Sequence, residues 1–159
     1  MRTYTATTTA PARPEAVLDV LTDPDALLRW APVDFDVERL SGSRLAEGGS
    51  ARVSGRLAGR EVGFEVEVHY ADVDGLSLSA DGPVALDVAY ELRPTLAGSE
   101  VSASVTVVPK PGLRARLLAE ATAAVLAGGA LQAALGRMAR EAAAADQPAG
   151  AFEYLAAAA

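Results

Sequence analysis

The chain of 159 residues has no cysteine and one histidine, His69. Without cysteine there is no disulfide, no thiol nucleophile and no thiolate metal site. A lone histidine does not make the usual multi-histidine zinc site. No glycine-rich phosphate loop stands between a strand and a helix, so nucleotide binding has no support. We therefore expect no cofactor and no metal, and we assign no catalytic residue.

Positive charge is also scarce, because 14 lysines and arginines face 21 acidic residues, a net charge of −7. This balance argues against nucleic acid or an anionic membrane as a partner, since both are negatively charged. The N-terminus shows no basic segment followed by an apolar one, so we see no secretory signal and expect a cytoplasmic protein.

Half of the residues are hydrophobic and 22% are charged, which is typical of a globular protein. The length suits one domain, which we place at residues 1–145. The remaining residues, 146–159, form an alanine-rich segment that we expect to be a loosely held terminus. An anchor that docks on the domain, or a peptide that binds a partner, is the alternative.

The stretch from Pro111 to about Ala145 predicts one long amphipathic helix. Proline suits the first turn of a helix because its missing N–H would be unbonded there. Apolar and small residues recur along the stretch at alternating steps of four and three, which places them on one stripe. The stripe consists of Leu113, Leu117, Ala121, Ala124, Gly128, Leu131, Leu135, Met138 and Ala142.

The middle of this helix carries no charge between Glu120 and Arg137. A surface helix with one buried stripe should show charge on its other face, so we expect this part to be covered on more than one side. Gly128 and Gly129 lie in the covered part. Close packing on a sheet or a second subunit would explain them, and so would a notch that leaves room for a ligand.

Elsewhere the hydrophobic period is that of strands, with one short exception. Residues 2–9 are rich in threonine and favour a strand. Pro11 to Pro32 has helical spacing broken at Asp23-Pro24, which predicts two short helices. From Val33 to about Val107 apolar and polar residues alternate, with Gly-containing turns between runs, which predicts six more antiparallel strands. The fold class is therefore α+β, with the terminal helix laid across a curved seven-stranded sheet.

This order of elements resembles the helix-grip superfamily, which includes START domains, proteins of the birch-pollen-allergen type and polyketide cyclase/dehydratases. The likeness rests on the segment APARPEAVLDVLTDPDALLRWAP from Ala10 to Pro32, the meander of hairpins, and the helix entered through Val108–Gly112. The resemblance implies a sheet wrapped around the long helix with a cavity between them. Trp30 matches a family position near the turn between the short helices and the second strand.

Members of this superfamily bind lipids, sterols, hormones or polyketides, and some catalyse cyclisation or dehydration, so the resemblance implies no single activity. The alternation places His69 with Glu65 and Glu67 on the face away from the apolar residues, which favours a solvated surface over a catalytic base.

The predicted cavity lining combines inward strand residues, Trp30 and the helix stripe. Tyr70 and Tyr90 would bring the polar tips, either as core residues with one hydrogen bond or as donors to a ligand carbonyl or phenol. The predicted ligand-binding residues are Trp30, Phe35, Val53, Phe64, Val66, Tyr70, Leu86, Val88, Tyr90, Val105, Leu117, Ala121, Ala124 and Gly128.

The lining, the uncharged helix segment and what the resemblance implies together leave three functions open. The first is binding of an apolar small molecule of polyketide, lipid or polycyclic aromatic type. Sequestration of a reactive natural product, as in some relatives, would be a special case. The second is a polyketide aromatase/cyclase or dehydratase, in which Tyr70, Tyr90 and an arginine at the cavity mouth such as Arg29 or Arg52 polarise carbonyls. An inward-pointing Asp87 or Arg56 would favour the enzyme. The third is a structural or chaperone-binding domain. The chain is expected to be a monomer or a homodimer.

Overall fold

The computed structural model describes residues 1–31, 34–57 and 59–146. The predicted strand start at Val33, the turn residue Ala58 and residues 147–159 lie outside the described residues. The elements follow one another in the predicted order. They are β1 (Arg2–Ala10), α1 (Pro14–Thr22), α2 (Pro24–Trp30), β2 (Phe35–Leu40), β3 (Ser50–Leu57), β4 (Arg60–Asp72), β5 (Gly75–Asp81), β6 (Ala85–Thr95), β7 (Gly98–Val108), α3 (Leu113–Ala127) and α4 (Ala130–Ala145).

The strands form one seven-stranded antiparallel sheet in the order β1-β7-β6-β5-β4-β3-β2. Strands β2 to β7 are a meander in which each strand pairs with the next, because short hairpin connections place consecutive strands side by side. β1 joins the far edge by pairing with β7 along its whole length, from Arg2 opposite Val107 to Ala10 opposite Ser99. With two short helices after β1 and helices at the C-terminal end, this is the predicted helix-grip fold.

Alternation along the strands separates an inner from an outer face, as predicted. In β7 every second residue from Ser99 to Val107 is buried, and the residues between them are partly exposed. In β4 Val66 and Val68 are buried while Glu65, Glu67 and His69 point to the other face. The His69 ring lies 3.1 Å from the Ser79 hydroxyl on this outer face. The acidic residues and the histidine therefore face away from the helices.

Tyr70 does not follow the predicted alternation. Val68 pairs with Leu78, but the next pair is Tyr70 with Ser77, so His69 is an extra residue in β4. Such a bulge shifts the following side chains to the opposite face. Ala71, paired with the buried Leu76, now takes the inner position. The prediction that Tyr70 faces the cavity is therefore wrong.

The two short helices begin at prolines, as the sequence predicts. Pro14 and Pro24 each occupy the first turn of a helix, where no N–H partner is needed. Asp23 separates the helices and caps the second, because its carboxylate accepts a hydrogen bond of 2.9 Å from the Asp25 N–H. α2 ends at Trp30, which is buried with an exposed fraction of 2%.

The C-terminal helical segment is not one continuous helix. It begins at Leu113, two residues after Pro111, and α3 and α4 meet at an angle of 57° across Gly128 and Gly129. Gly129 has φ 89° and ψ 8°, a left-handed conformation that side chains disfavour. Of the helices in the described residues, none alone is long and apolar enough to span a membrane, although α3 and α4 together would pass by length and composition.

The bend changes which side of the segment is buried. On α4 the predicted stripe is correct, since Leu131, Leu135, Met138 and Ala142 are all buried. On α3 the buried residues are instead Leu118, Ala119, Thr122 and Ala123. Leu113 and Leu117 are 73% and 62% exposed, and Val125 is 37% exposed. Among the described residues, the expectation that the uncharged middle is covered on more than one side is thus not met.

Charged contacts fix α4 to the short helices. Asp146, the residue after α4, accepts hydrogen bonds from the Arg13 N–H at 2.8 Å, from Nε at 3.0 Å and from Nη2 at 2.8 Å. Arg29 on α2 pairs with Glu141 at 3.0 Å. Arg137 donates to the main-chain oxygens of Trp30 at 3.3 Å and Ala31 at 3.0 Å. These contacts hold α4 and the end of α2 in one arrangement.

Replacing the glycine at the bend tests its conformational role. We expect Gly129→Ala to lower the free energy of unfolding by about 1–2 kcal/mol, because a Cβ is disfavoured in the left-handed region. No described atom other than those of its chain neighbours lies within 4 Å of a Cβ placed there, so a clash would not explain the loss. Gly128→Ala, at φ −77°, is the matched control and should cost less. Urea unfolding of both variants measures the difference, and equal costs would contradict the role.

The Arg13 contact predicts a specific acid sensitivity. The Arg13 hydrogen bonds hold the pKa of Asp146 below its usual value. A carboxylate with a lowered folded-state pKa contributes stability above its unfolded pKa of about 3.9 and loses it as the pH falls through the folded value. Asp146→Asn should therefore be less stable than the wild type at pH 7, and the difference should shrink below about pH 4. Thermal unfolding across this pH range measures the effect, with Asp87→Asn at an exposed position as the control. A stability difference between Asp146→Asn and the wild type that did not change with pH would contradict the role of the contact.

Candidate functional site

A partly open cavity of about 270 Å³ lies on the inner face of the sheet. It lies between the sheet and the helices, with walls from α1, α2, six of the seven strands, α3 and α4. The lining is almost entirely aliphatic and aromatic. This volume is near the lower end of the range for small-molecule sites, about 300–1,000 Å³. It suits a compact ligand better than a long lipid.

Nine of the fourteen predicted ligand-binding residues line this cavity. They share the inner face of the sheet or the end of α2. They are Trp30, Phe35, Val53, Phe64, Val66, Leu86, Val88, Tyr90 and Val105.

The other five predicted residues do not line it. Tyr70 is turned to the outer face by the bulge at His69. Leu117, Ala121, Ala124 and Gly128 lie on the solvent side of α3, because the bend at Gly129 separates the phase of α3 from that of α4. Gly128 also makes no notch, since the nearest atoms to its position are carbonyl oxygens of the preceding helical turn.

Several residues outside the predicted set also line the cavity. Alternation already places Leu76, Leu78 and Ala80 on the inner face of β5, and the helix stripe already contains Leu131. For the α3 face no sequence signal was sufficient, because a run of alanine and leucine does not define one apolar side. The α3 residues that line the cavity are Thr122, Val125 and Leu126.

The centre of the inner face stays partly accessible. Phe64, Leu78 and Val88 point inward within their strands, where side chains are normally buried, yet each is only partly buried. By contrast, the inward residues that pack under α4 and α1, such as Val101 and Leu76, are 0% and 1% exposed. The helices therefore cover one end of the inner face closely and leave the other end unfilled.

Trp30 and Tyr90 form the aromatic corner of the cavity. Their rings meet edge to face, with centroids 6.1 Å apart and planes at 86°. Such pairs contribute about 0.5–1.5 kcal/mol beyond the area they bury. The Trp30 indole N–H donates to the Val20 carbonyl at 3.4 Å. The Trp30 main-chain oxygen accepts from Arg137. The corner is thus held by contacts that do not require a ligand.

The polar groups turned into the cavity are few. The Thr122 hydroxyl donates to the Leu118 carbonyl at 2.8 Å, so its hydrogen is already used. No hydrogen bond joins the Tyr90 hydroxyl to another described residue. Burial in the apolar wall raises the pKa of Tyr90 well above its usual value. The side chain therefore stays protonated at neutral pH and remains a hydrogen-bond donor.

Charged side chains stay outside the cavity in the described residues. Arg29 pairs with Glu141, and Arg52 pairs with Glu38 and Glu65 on the outer face. Neither arginine lines the cavity, so their predicted role at its mouth is wrong.

Asp87 and Arg56, whose inward orientation would favour an enzyme, also stay outside the cavity. Asp87 is exposed and absent from the walls. Arg56 borders the cavity, but its unbroken pairing with Glu61 keeps it on the outer face of β3. No group of three or more described His, Asp or Glu side chains is arranged to hold a metal ion.

Comparison with known proteins identifies the family. The model of the family described as "Polyketide cyclase / dehydrase and lipid transport" matches residues 1–143. The chain belongs to this family. No curated protein sequence matches it significantly.

Solved structures show the same fold as this family member at low sequence identity. TTHA0849 from Thermus thermophilus has a TM-score of 0.69 and 18% identity over 92% of this chain and 100% of that one. Ara h 8.0201 has a TM-score of 0.59 and 13% identity over 89% and 97% of the two chains. At such identities the likeness concerns the fold alone.

One solved structure comes from a biosynthetic locus. DynU16, described as a putative protein in the dynemicin biosynthetic locus, has a TM-score of 0.58 and 20% identity over 87% of this chain. The match spans only 46% of DynU16, so about half of that protein has no counterpart here.

Proposed function

We propose that this member of the polyketide cyclase and lipid transport family binds a compact apolar molecule in the cavity between sheet and helices. The observation that carries the proposal is the unfilled, almost wholly apolar space of about 270 Å³. The apolar walls of this partly open cavity gain stability when a molecule covers them, because removing apolar area from water is favourable.

Burial of apolar area supplies the affinity in this proposal. A bicyclic aromatic ligand about the size of an indole side chain would bury up to about 250 Å². At about 25 cal/mol per Å², this corresponds to about 6 kcal/mol before the cost of association is subtracted. Trp30, Phe64 and Val88 lie on the walls that would contact it. Predominantly apolar walls with very few polar groups are typical of binding sites.

Catalysis has less support than binding. An aromatase/cyclase or dehydratase must move protons, and effective acid–base groups have a pKa near the working pH. Tyr90 is the titratable side chain turned into the described part of the cavity, and burial moves its pKa away from neutrality. Sequestration of a natural product remains a form of the binding proposal, and the location of DynU16 in a biosynthetic locus is consistent with it.

Filling the cavity tests the proposal. Val88 lines the cavity in the middle of β6 and is only partly buried, so a larger side chain there projects into the space. We expect Val88→Trp to lower the affinity for 2-isopropenylnaphthalene, a neutral bicyclic probe, at least tenfold. The probe should stabilise the wild type increasingly as its concentration rises. Thermal shift and calorimetric titration measure both effects.

The neighbouring residue provides a matched control. Ala89 lies opposite Ser77 and Ser104, on the outer face of the same strand. Ala89→Trp should bind the probe within twofold of the wild type. No binding to the wild type, or equal binding to both tryptophan variants, would show that the cavity is not the binding site.

A further inference from the structure

The Tyr90 hydroxyl gives the cavity a specific chemical requirement. The ring lies in an apolar wall with an exposed fraction of 7%, and its hydroxyl has no hydrogen-bond partner among the described residues. No fully buried side-chain nitrogen or oxygen among the described residues lacks a partner, so the Tyr90 hydroxyl is accessible from the cavity. A ligand that covered it without offering an acceptor would leave its hydrogen unpaired, which costs about 1–3 kcal/mol. A ligand that brings an acceptor avoids this cost.

Two other side-chain donors that face the cavity are already engaged, and the lining residue Ser54 pairs with Gly63 on the outer face of β3. The Trp30 indole N–H bonds to Val20, and the Thr122 hydroxyl bonds to Leu118. Tyr90 is thus the free donor among the described side chains turned inward. Its direction is fixed, because its ring packs edge to face on Trp30. A donor held in place before binding selects for ligands whose acceptor meets it, since little freedom is lost on binding.

The charge of the walls restricts the ligand further. The described side chains that face the cavity include no lysine, arginine, histidine, aspartate or glutamate, and the charged residue that borders it, Arg56, is on the outer face of β3. An ion in an apolar site loses its hydration, and nothing there would replace it. A carboxylate or an ammonium group is therefore disfavoured inside.

We propose that the molecule bound in this cavity is an uncharged, compact cyclic ketone, aryl ketone or ester whose carbonyl oxygen accepts a hydrogen bond from Tyr90. This inference rests on the proposed function, since it names the class of ligand that the same cavity takes. The carbonyl group is the feature in common, because it supplies an acceptor without a charge. Free fatty acids and aromatic carboxylates are excluded from the class.

Three naphthalenes of nearly the same shape test the inference. 2-Acetylnaphthalene carries the carbonyl, 2-isopropenylnaphthalene replaces its oxygen by CH₂, and 2-naphthoate carries a charge. We expect Tyr90→Phe to weaken binding of the ketone by about 2- to 12-fold, the equivalent of a net hydrogen bond of about 0.5–1.5 kcal/mol. Binding of the alkene should change less than twofold. The wild type should bind 2-naphthoate at least tenfold more weakly than the ketone.

A control variant and a spectroscopic measurement complete the experiment. Tyr70→Phe removes a hydroxyl from the outer face and should leave all three affinities unchanged. In the wild type the infrared carbonyl stretch of bound 2-acetylnaphthalene should lie below its value in Tyr90→Phe, since hydrogen bonding weakens the C=O bond. Binding of the alkene by Tyr90→Phe verifies that the variant still folds. If the variant does not fold, the carbonyl stretch of the ketone bound to the wild type is compared with its stretch in hexane, and a lower frequency in the protein indicates the hydrogen bond.

The outcomes separate the two proposals. If the wild type binds the alkene but Tyr90→Phe weakens the ketone and the alkene equally, or neither, the carbonyl requirement is wrong and the binding function stands. A wild type that prefers 2-naphthoate would also overturn the requirement. If none of the three probes binds, both the function and the requirement are wrong.

Discussion

The bend at Gly128 and Gly129 is the constraint on which the cavity depends. α4 continues along the sheet beside β1 and the short helices, and its apolar stripe is fully buried. If α3 continued α4 as one straight helix, the packing of α4 on the sheet would extend over the whole inner face. Because Gly129 adopts a left-handed conformation, α3 instead leaves at 57° and lies near β1, β3 and β7. The space under the divergence is the cavity.

The two helices have different tasks as a result. α4 contacts both ends of the short-helix pair through Arg13, Arg29 and Arg137, and Arg137 donates directly to the main-chain oxygen of Trp30. α3 has no comparable charged contact with the short helices in the described residues, and it leaves Leu113 and Leu117 in solvent. The part of the site formed by α2 and α4, which includes the aromatic corner, therefore has more contacts than the part formed by α3.

Most of the fold follows from hydrophobic period and turn chemistry, and so do nine of the proposed binding residues. The errors have identifiable causes. Alternation predicts an inward Tyr70 because it assumes that each residue of β4 pairs with one residue of β5. The sequence pattern does not show the extra residue at His69. The predicted lining residues on α3 are wrong because the stripe assumes one continuous helix through Gly129. The positive φ of Gly129 interrupts that helix. Both errors arise where the backbone departs from regular geometry, which side-chain patterns do not record.

The pairing of β1 with β7 has a consequence for how the protein is made. β1 pairs with β7, the strand of this sheet farthest from it along the chain, and Asp146, which bonds to Arg13, comes later still. Contacts between residues so far apart in sequence require a large loop to close before they stabilise anything, which slows folding. During synthesis the threonine-rich β1 therefore has no sheet partner until β7 has been made. The alternating threonines of β1 keep one face of the unpaired strand polar, which limits its association with other nascent chains.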